Sequence, residues 1–123
     1  MRLLLDTHIV LWWFSRSSEL TEKTLSLIID HEVFVSAVTP WEIVLKKGKG
    51  KLKSPDDFLF MMQKHAFKHL SIDVHHALAV QDLPLLHHDP FDRLLVAQAK
   101  LEDLTLLTHD KRLASYGPFV MVV

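Results

Sequence analysis

Residues 87–100 read HHDPFDRLLVAQAK. Asp89 followed by Pro90 marks a helix start: the carboxylate can accept from open backbone N–H groups, and proline fits the first helical position, where no N–H is needed. Leu94, Leu95, Ala97, Ala99 and Leu101 carry the apolar stretch to about Glu102. With Asp89 as cap, Asp92 is surplus. The helix dipole favours an acid in the first turn, but capping no longer requires one. Two aspartates, an attached arginine and two preceding histidines therefore ask for more than a helix boundary.

Working outward, short apolar runs alternate with helical ones. Arg2–Leu5, Val33–Ser36, His69–Asp73, Leu104–Leu107 and Phe119–Val123 have the character of strands. Between them the sequence predicts a helix from Asp6-Thr7 to Phe14 and another capped by Ser18 or Thr21 and running to Asp30. A third starts at Thr39-Pro40, with Thr39 as cap and Glu42 in its first turn. A fourth follows Ser54-Pro55-Asp56-Asp57 and runs to Lys68. Short ones are expected at His75–Gln81 and Lys111–Ser115. This alternation implies an α/β class: a central, mostly parallel sheet covered by helices on both faces, three layers in all.

The chain has 123 residues, which sets the expectation of one domain spanning 1–123. Hydrophobic residues make up 49% and charged residues 24%, a globular balance. A net charge of -1 means that any nucleic-acid binding must rest on a local patch. Cysteine is absent, so disulfides and thiolate metal sites are excluded. The opening MRLLLDTHIVLWWF lacks the form of a signal peptide, since Asp6 and His8 interrupt it. No segment approaches the ~20 apolar residues that span a bilayer. A soluble cytoplasmic protein with no membrane role is expected.

Three further acids follow the apolar strands. Asp6 ends LLLD, Asp110 follows TLLTH, and Glu42 comes shortly after VFVSAVTP. With Asp92 they would stand at the carboxyl ends of parallel strands, where open α/β sheets build their sites. Four converging carboxylates repel one another unless protonated or neutralised. An oxygen-only set suits a hard cation such as Mg²⁺ or Mn²⁺. Such a cation can bind a phosphate oxygen and generate hydroxide near neutral pH.

LLLDTH, SAVTPWEI, DPFDRLLVAQA and LLTHD, in this order, closely resemble the PIN-domain ribonucleases, in particular the VapC-like toxins of bacterial toxin–antitoxin pairs. The likeness runs from Arg2 to the last strand. It implies a PIN-like fold and an acidic quartet at Asp6, Glu42, Asp92 and Asp110 that binds Mg²⁺ or Mn²⁺ and hydrolyses RNA, leaving a 5′-phosphate and a 3′-hydroxyl. It assigns Asp92 to the metal and Asp89 to the cap. It also implies a homodimer and a cognate antitoxin. A Mg²⁺-binding receiver module would share the length and the acidic pocket, but needs paired acids after the first strand and a lysine after the last. A PIN fold that only binds is the other alternative, and the complete quartet argues against it.

Several residues keep two readings. Thr108, near the same edge, can hold a water at the metal or simply cap. Lys46 and Lys47, with Lys49, Lys51 and Lys53, form either a phosphate-gripping patch or a solvated helix end. Arg93 is a candidate partner for a carboxylate rather than for RNA. The nine histidines include two adjacent pairs but no zinc-protease spacing, and they read mostly as surface residues, with His8 the one nearest the acids. Trp12 and Trp13 cannot share one narrow stripe: one is expected in the core, and the other is available to a partner or also buried.

Overall fold

The computed structural model describes residues 1–48 and 57–123. Five strands, β1 (Arg2–Leu5), β2 (Glu32–Ser36), β3 (Lys68–Leu70), β4 (Thr105–Thr108) and β5 (Val120–Val122), form one sheet in the order β3-β2-β1-β4-β5. Every neighbouring pair is parallel, with Leu4 opposite Phe34 and Leu5 opposite Leu107. A strand buried on both faces should be apolar at every position, and Leu3, Leu4, Leu5, Leu106 and Leu107 are all inaccessible to solvent.

The pleat divides these residues between two cores. Leu3, Leu5 and Leu107 join Ile9, Phe14, Ile28 and Met62, beneath helices α1 (Thr7–Phe14), α2 (Glu22–Asp30) and α4 (Phe58–Lys64). Leu4 and Leu106 join Val38, Leu95, Val96 and Ala99, beneath α3 (Val38–Gly48), α5 (Val74–Ala79) and α6 (Pro90–Leu101). The result is the three-layer α/β/α arrangement expected from the alternation. The chain adds β2 and β3 on one side of β1, then crosses back to add β4 and β5 on the other. A crevice opens at such a reversal, beyond the strands' carboxyl ends.

Three helix starts follow the expected chemistry. Asp6 caps α1, Thr21 caps α2 and Asp89 caps α6, each through a side-chain bond to a backbone N–H. Thr39 does not cap α3. That helix begins two residues earlier than a Thr39 cap would set it, at Val38, whose N–H is taken by the Ser36 hydroxyl at 3.0 Å, and Thr39 turns inward to the Thr7 hydroxyl at 3.2 Å. Glu42 accordingly stands beyond the first turn of α3 rather than within it.

Helix α4 stops at Lys64, short of Lys68. Ala66 takes a left-handed conformation (φ 57°), and the Phe67 N–H returns to the Met62 carbonyl at 3.0 Å. Phe67 then packs into an aromatic cluster with Phe14 and His65, and Lys68 opens β3. Asp57 precedes α4 without a capping bond; Ser54, Pro55 and Asp56 lie outside the described residues. β3 ends at Leu70, and Asp73 instead caps α5 in a reciprocal capping box with His76. No helix among the described residues is long and apolar enough to cross a membrane.

Candidate active site

Asp6 leaves β1 directly into α1. Its N–H donates to the Leu107 carbonyl at 3.0 Å, which ties the end of β1 to β4. Its Oδ1 accepts from the Ile9 N–H at 3.2 Å, and its Oδ2 from the Thr108 hydroxyl. Burial pushes the Asp6 carboxyl above its ordinary range, against these hydrogen bonds. Thr108 is buried at the end of β4, and its hydroxyl also accepts from the Asp110 N–H at 3.0 Å. One threonine therefore organises two of the acids.

Asp110 caps the 3-10 turn Lys111–Tyr116 through the Arg112 N–H at 3.0 Å. The Arg112 guanidinium folds back onto the same carboxylate, with Nε at 3.0 Å from Oδ1 and Nη2 at 2.8 Å from Oδ2. These bonds hold Asp110 below the usual carboxylate range. Glu42 is 3% exposed and has both oxygens occupied: Oε1 accepts from the Thr7 hydroxyl at 2.7 Å, and Oε2 pairs with Lys46 one turn along α3.

Asp92 differs. Its Oδ2 accepts from His87 Nε2 at 2.9 Å. Burial, then the neighbouring charge of Asp89, pushes its carboxyl up to about 6, and the charges of Asp6 and Glu42 push the same way. The same His87 Nε2 lies 3.8 Å from Asp110 Oδ2. Ligating atoms of His87, Asp92 and Asp110 all fall within 4.8 Å of one another and could hold a metal ion. The hydrogen bonds run Asp6, Thr108, Asp110 along β4, and His87 bridges from there to Asp92; Glu42 and Lys46 close the far side.

The donor chemistry fits a hard divalent cation. Two of the four acids, Glu42 and Asp110, have a cationic side chain bonded to them. Among the described residues no lysine or arginine is bonded to Asp6 or Asp92. Those two carry raised proton affinity and two uncompensated charges, which a divalent ion would neutralise.

Not every residue singled out from the sequence faces this pocket. Asp89 serves as cap through one oxygen, with Oδ1 accepting from Phe91 N–H at 2.8 Å and Asp92 N–H at 3.1 Å. Arg93 pairs with no carboxylate. Its guanidinium donates to the carbonyls of Pro84 (2.9 Å), Val80 (3.1 Å) and Leu83 (3.4 Å) and to the Tyr116 hydroxyl (3.1 Å), clamping the segment ahead of α6. Lys46 is not a solvated helix end, because it turns into the pocket. Lys47 is exposed on the last turn of α3, and Lys49, Lys51 and Lys53 lie outside the described residues.

His87 and Arg112 belong to the site: the His87-His88 pair stands beside the aspartates in the sequence but reads as surface, and Arg112 is not marked there at all. In each adjacent histidine pair one ring is buried: His87 at 7% exposure and His76 at 2%. His76 serves the fold. Its Nδ1 accepts from the Asp73 N–H at 3.1 Å, which leaves Nε2 to donate to Glu102 at 2.9 Å.

Against this geometry the PIN domain model matches residues 3–117. The chain belongs to the PIN domain family. A curated PIN relative, Ribonuclease VapC22 of Mycobacterium tuberculosis, is 27% identical over 118 residues, covering 92% of this chain and 90% of the relative. The fold is similar to a chain of VapBC2 from Rickettsia felis bound to a DNA fragment from its promoter, with a TM-score of 0.71 and 16% identity over 100% of this chain and 98% of that one. It is also similar to a chain of a toxin–antitoxin complex from Klebsiella pneumoniae, with a TM-score of 0.67 and 21% identity over 98% and 96% of the two chains. At these identities the solved structures establish a shared PIN fold and nothing finer.

Proposed function

We propose that residues 1–123 act as one PIN unit, a metal-dependent endoribonuclease that serves as the toxin of a toxin–antitoxin pair in the cytoplasm. The observation that carries this reading is the convergence of Asp6, Glu42, Asp92 and Asp110 at one crevice, with no lysine or arginine among the described residues bonded to Asp6 or Asp92. The ribonuclease name of the curated relative supports it. The acidic quartet would hold Mg²⁺, with Mn²⁺ able to substitute. Bound there, the ion would supply positive charge to a scissile phosphate and make a water molecule easier to deprotonate.

The chain's own residues do the positioning. Thr108 fixes Asp6 and the start of the Asp110 loop, Arg112 fixes the Asp110 carboxylate, and His87 orients Asp92 through its 2.9 Å bond. Arg93 holds the loop that delivers His87 to the pocket. Lys46 and Lys47, in the last turn of α3, would meet the phosphate backbone. Hydrolysis would leave a 5′-phosphate and a 3′-hydroxyl.

The antitoxin's place is a groove of about 250 Å³ lined by Trp12, Trp13, Arg16, Leu20, Leu25 and His65. Neither tryptophan is fully buried, contrary to the expectation that one belongs to the core; both lie half-buried at its margin. Among the described residues the buried Trp13 indole N–H has no acceptor. A homodimer is the working assembly, as the resemblance to the VapC-like toxins implies. The test of the enzyme is direct. Purified protein should cleave RNA with Mg²⁺ or Mn²⁺ and stop on chelation; cleavage that persists through chelation removes the reading.

A further inference from the structure

We propose that His8, Trp12 and His109 form a nucleobase-stacking subsite beside the acidic crevice, against which the substrate lays an unpaired base. This assignment rests on the ribonuclease reading above and narrows its substrate to single-stranded RNA.

Three rings stand in a row. The centres of His8 and Trp12 are 5.9 Å apart, and those of Trp12 and His109 are 5.2 Å apart. His8 and Trp12 are about one turn apart on α1. His109 follows the end of β4 and reaches the same indole from the sheet. Leu107 faces the core beneath α1, and with a period of two His109 returns to that side. Both histidines are exposed and the tryptophan is half-buried. The row is tied to the crevice at two points. His8 stands two residues after Asp6, and its imidazole is near enough to bear on the Asp6 carboxyl. His109 lies between Thr108, which bonds Asp6, and Asp110.

Bonding within the fold does not account for these rings. Among the described residues the His8 side chain has a ring contact and no hydrogen bond. The start of a helix also disfavours a side chain that can become cationic. His109 donates its Nδ1–H to the Val123 carbonyl at 2.7 Å, which fixes the ring and leaves Nε2 without a partner among the described residues. A row of exposed rings suits a flat partner with a π-face, which a base has and a phosphate lacks. In a duplex the bases are already stacked on one another, whereas an unpaired base can be splayed onto side-chain rings. Stacking also supplies affinity without positive charge. That matters in a chain of net charge -1 whose crevice gathers four acids.

The test uses the whole chain carrying Asp92→Asn, so that the strand stays intact, in the presence of Mn²⁺. Fluorescence anisotropy compares a labelled, unstructured RNA oligomer with a ribose-phosphate oligomer of the same length that lacks bases. The base-bearing oligomer should bind about fivefold tighter or more, since one stacked base is worth at least about 1 kcal/mol. His8→Ala and His109→Ala should each shrink that preference, and together bring it within about twofold, with the affinity for the baseless oligomer unchanged. His109→Phe, which keeps a ring, should retain it. Neither histidine lines the groove given to the antitoxin, so these variants leave that seat alone. Should His109→Ala fail to fold, His8→Ala decides, because His8 is exposed and unbonded. Ultraviolet cross-linking of 4-thiouridine RNA should map to His8, Trp12 or His109. Equal affinity for the two oligomers, or none for either, overturns the proposal. So does a preference that survives the histidine changes, or cross-linking confined to another ring such as the exposed Trp41. None of these results touches RNA cleavage by wild type with Mn²⁺, and failure of that cleavage counts against the ribonuclease reading itself.

Discussion

Gln98 and Asp92 lie on the same helix, largely shielded from water, in opposite electrostatic conditions. Around Gln98, which is inaccessible to solvent, every group has a partner. Its Oε1 accepts from the Ser36 hydroxyl, and its Nε2 reaches the Ser71 carbonyl at 3.2 Å and His76 Nδ1 at 3.3 Å; His76 then donates to Glu102. The network joins β2, α5 and α6 with no buried charge left over. Around Asp92, burial first and then the carboxylates of Asp89, Asp6 and Glu42 raise its proton affinity, and one histidine bond does not offset them. A satisfied polar cluster fixes a structure, whereas one with surplus charge of a single sign is stable only with something added.

The contrast is broken most sharply by Asp92→Asn. Replacing a residue that merely orients a metal ligand costs roughly 10- to 100-fold in activity or affinity, and loss of a ligand should cost more than roughly 100-fold. RNA cleavage should therefore fall below detection while the metal-free fold becomes equally or more stable, since a repelled charge is gone. A variant that loses activity only because it melts earlier would place Asp92 with Gln98, among the structural residues.

Gln98→Leu is the reciprocal change. It leaves the Ser36 hydroxyl, the Ser71 carbonyl and His76 Nδ1 each short of a partner, and unsatisfied buried groups cost about 1–3 kcal/mol apiece. A stability loss of about 2–5 kcal/mol in denaturant titration is expected, with the Mn²⁺ affinity of the folded fraction unchanged. A large loss of metal affinity with normal stability would show that the two clusters are coupled through α6.

These two residues also mark how far the sequence could be read. The strand pattern, the Asp89-Pro90 start of α6 and the four acids were legible because each depends on local chemistry: an apolar run, a cap, an acid just beyond a strand. The partners of those acids were not. Whether His87 or His88 turns inward depends on where Asp110 arrives from β4, more than twenty residues later in the chain. Arg112 carried no mark in the sequence because nothing local says that its guanidinium folds back two residues. Thr39 lost the cap to Ser36 because the helix starts almost directly from the end of β2 and Thr7 offered its hydroxyl from another helix. Arg93 invited pairing with the aspartate beside it, but successive helical residues diverge by about 100°, and its side chain left toward the carbonyls of the preceding loop.

A smaller effect separates the clusters by pH. The folded-state pKa of Asp92, about 6, lies above its unfolded value near 3.8. Its contribution to stability is therefore fully present below pH 3.8 and is lost as pH rises through 6. Asp6, also raised, acts in the same direction. For a side chain 19% exposed, the Asp92 part is on the order of 2–3 kcal/mol. Metal-free protein should melt several degrees higher at pH 5 than at pH 7.5, Asp92→Asn should flatten that difference, and Mn²⁺ should restore the loss at pH 7.5. A pH profile identical in wild type and Asp92→Asn would mean that the acid cluster is already neutralised from within.

The smallest effect is expected where the two kinds of residue touch. Asp89 is structural in its bonds and part of the acid cluster in its charge. Asparagine caps about as well as aspartate, and its Oδ1 can keep the bonds to the Phe91 and Asp92 N–H groups, so α6 should start where it does now. What disappears is the second-largest influence raising the Asp92 carboxyl. Removing that neighbouring negative charge must lower the Asp92 pKa, so the midpoint of the pH-dependent melting should move toward acid in Asp89→Asn. The lost favourable interaction with the helix dipole offsets part of the gain in stability, at about 0.3–1 kcal/mol. RNA cleavage should stay within roughly threefold of wild type, equivalent to less than about 1 kcal/mol in the barrier. An Asp89→Asn enzyme as inactive as Asp92→Asn would exchange the roles of the two aspartates, moving the metal seat toward the cap and leaving the His87–Asp92 bond as ordinary packing.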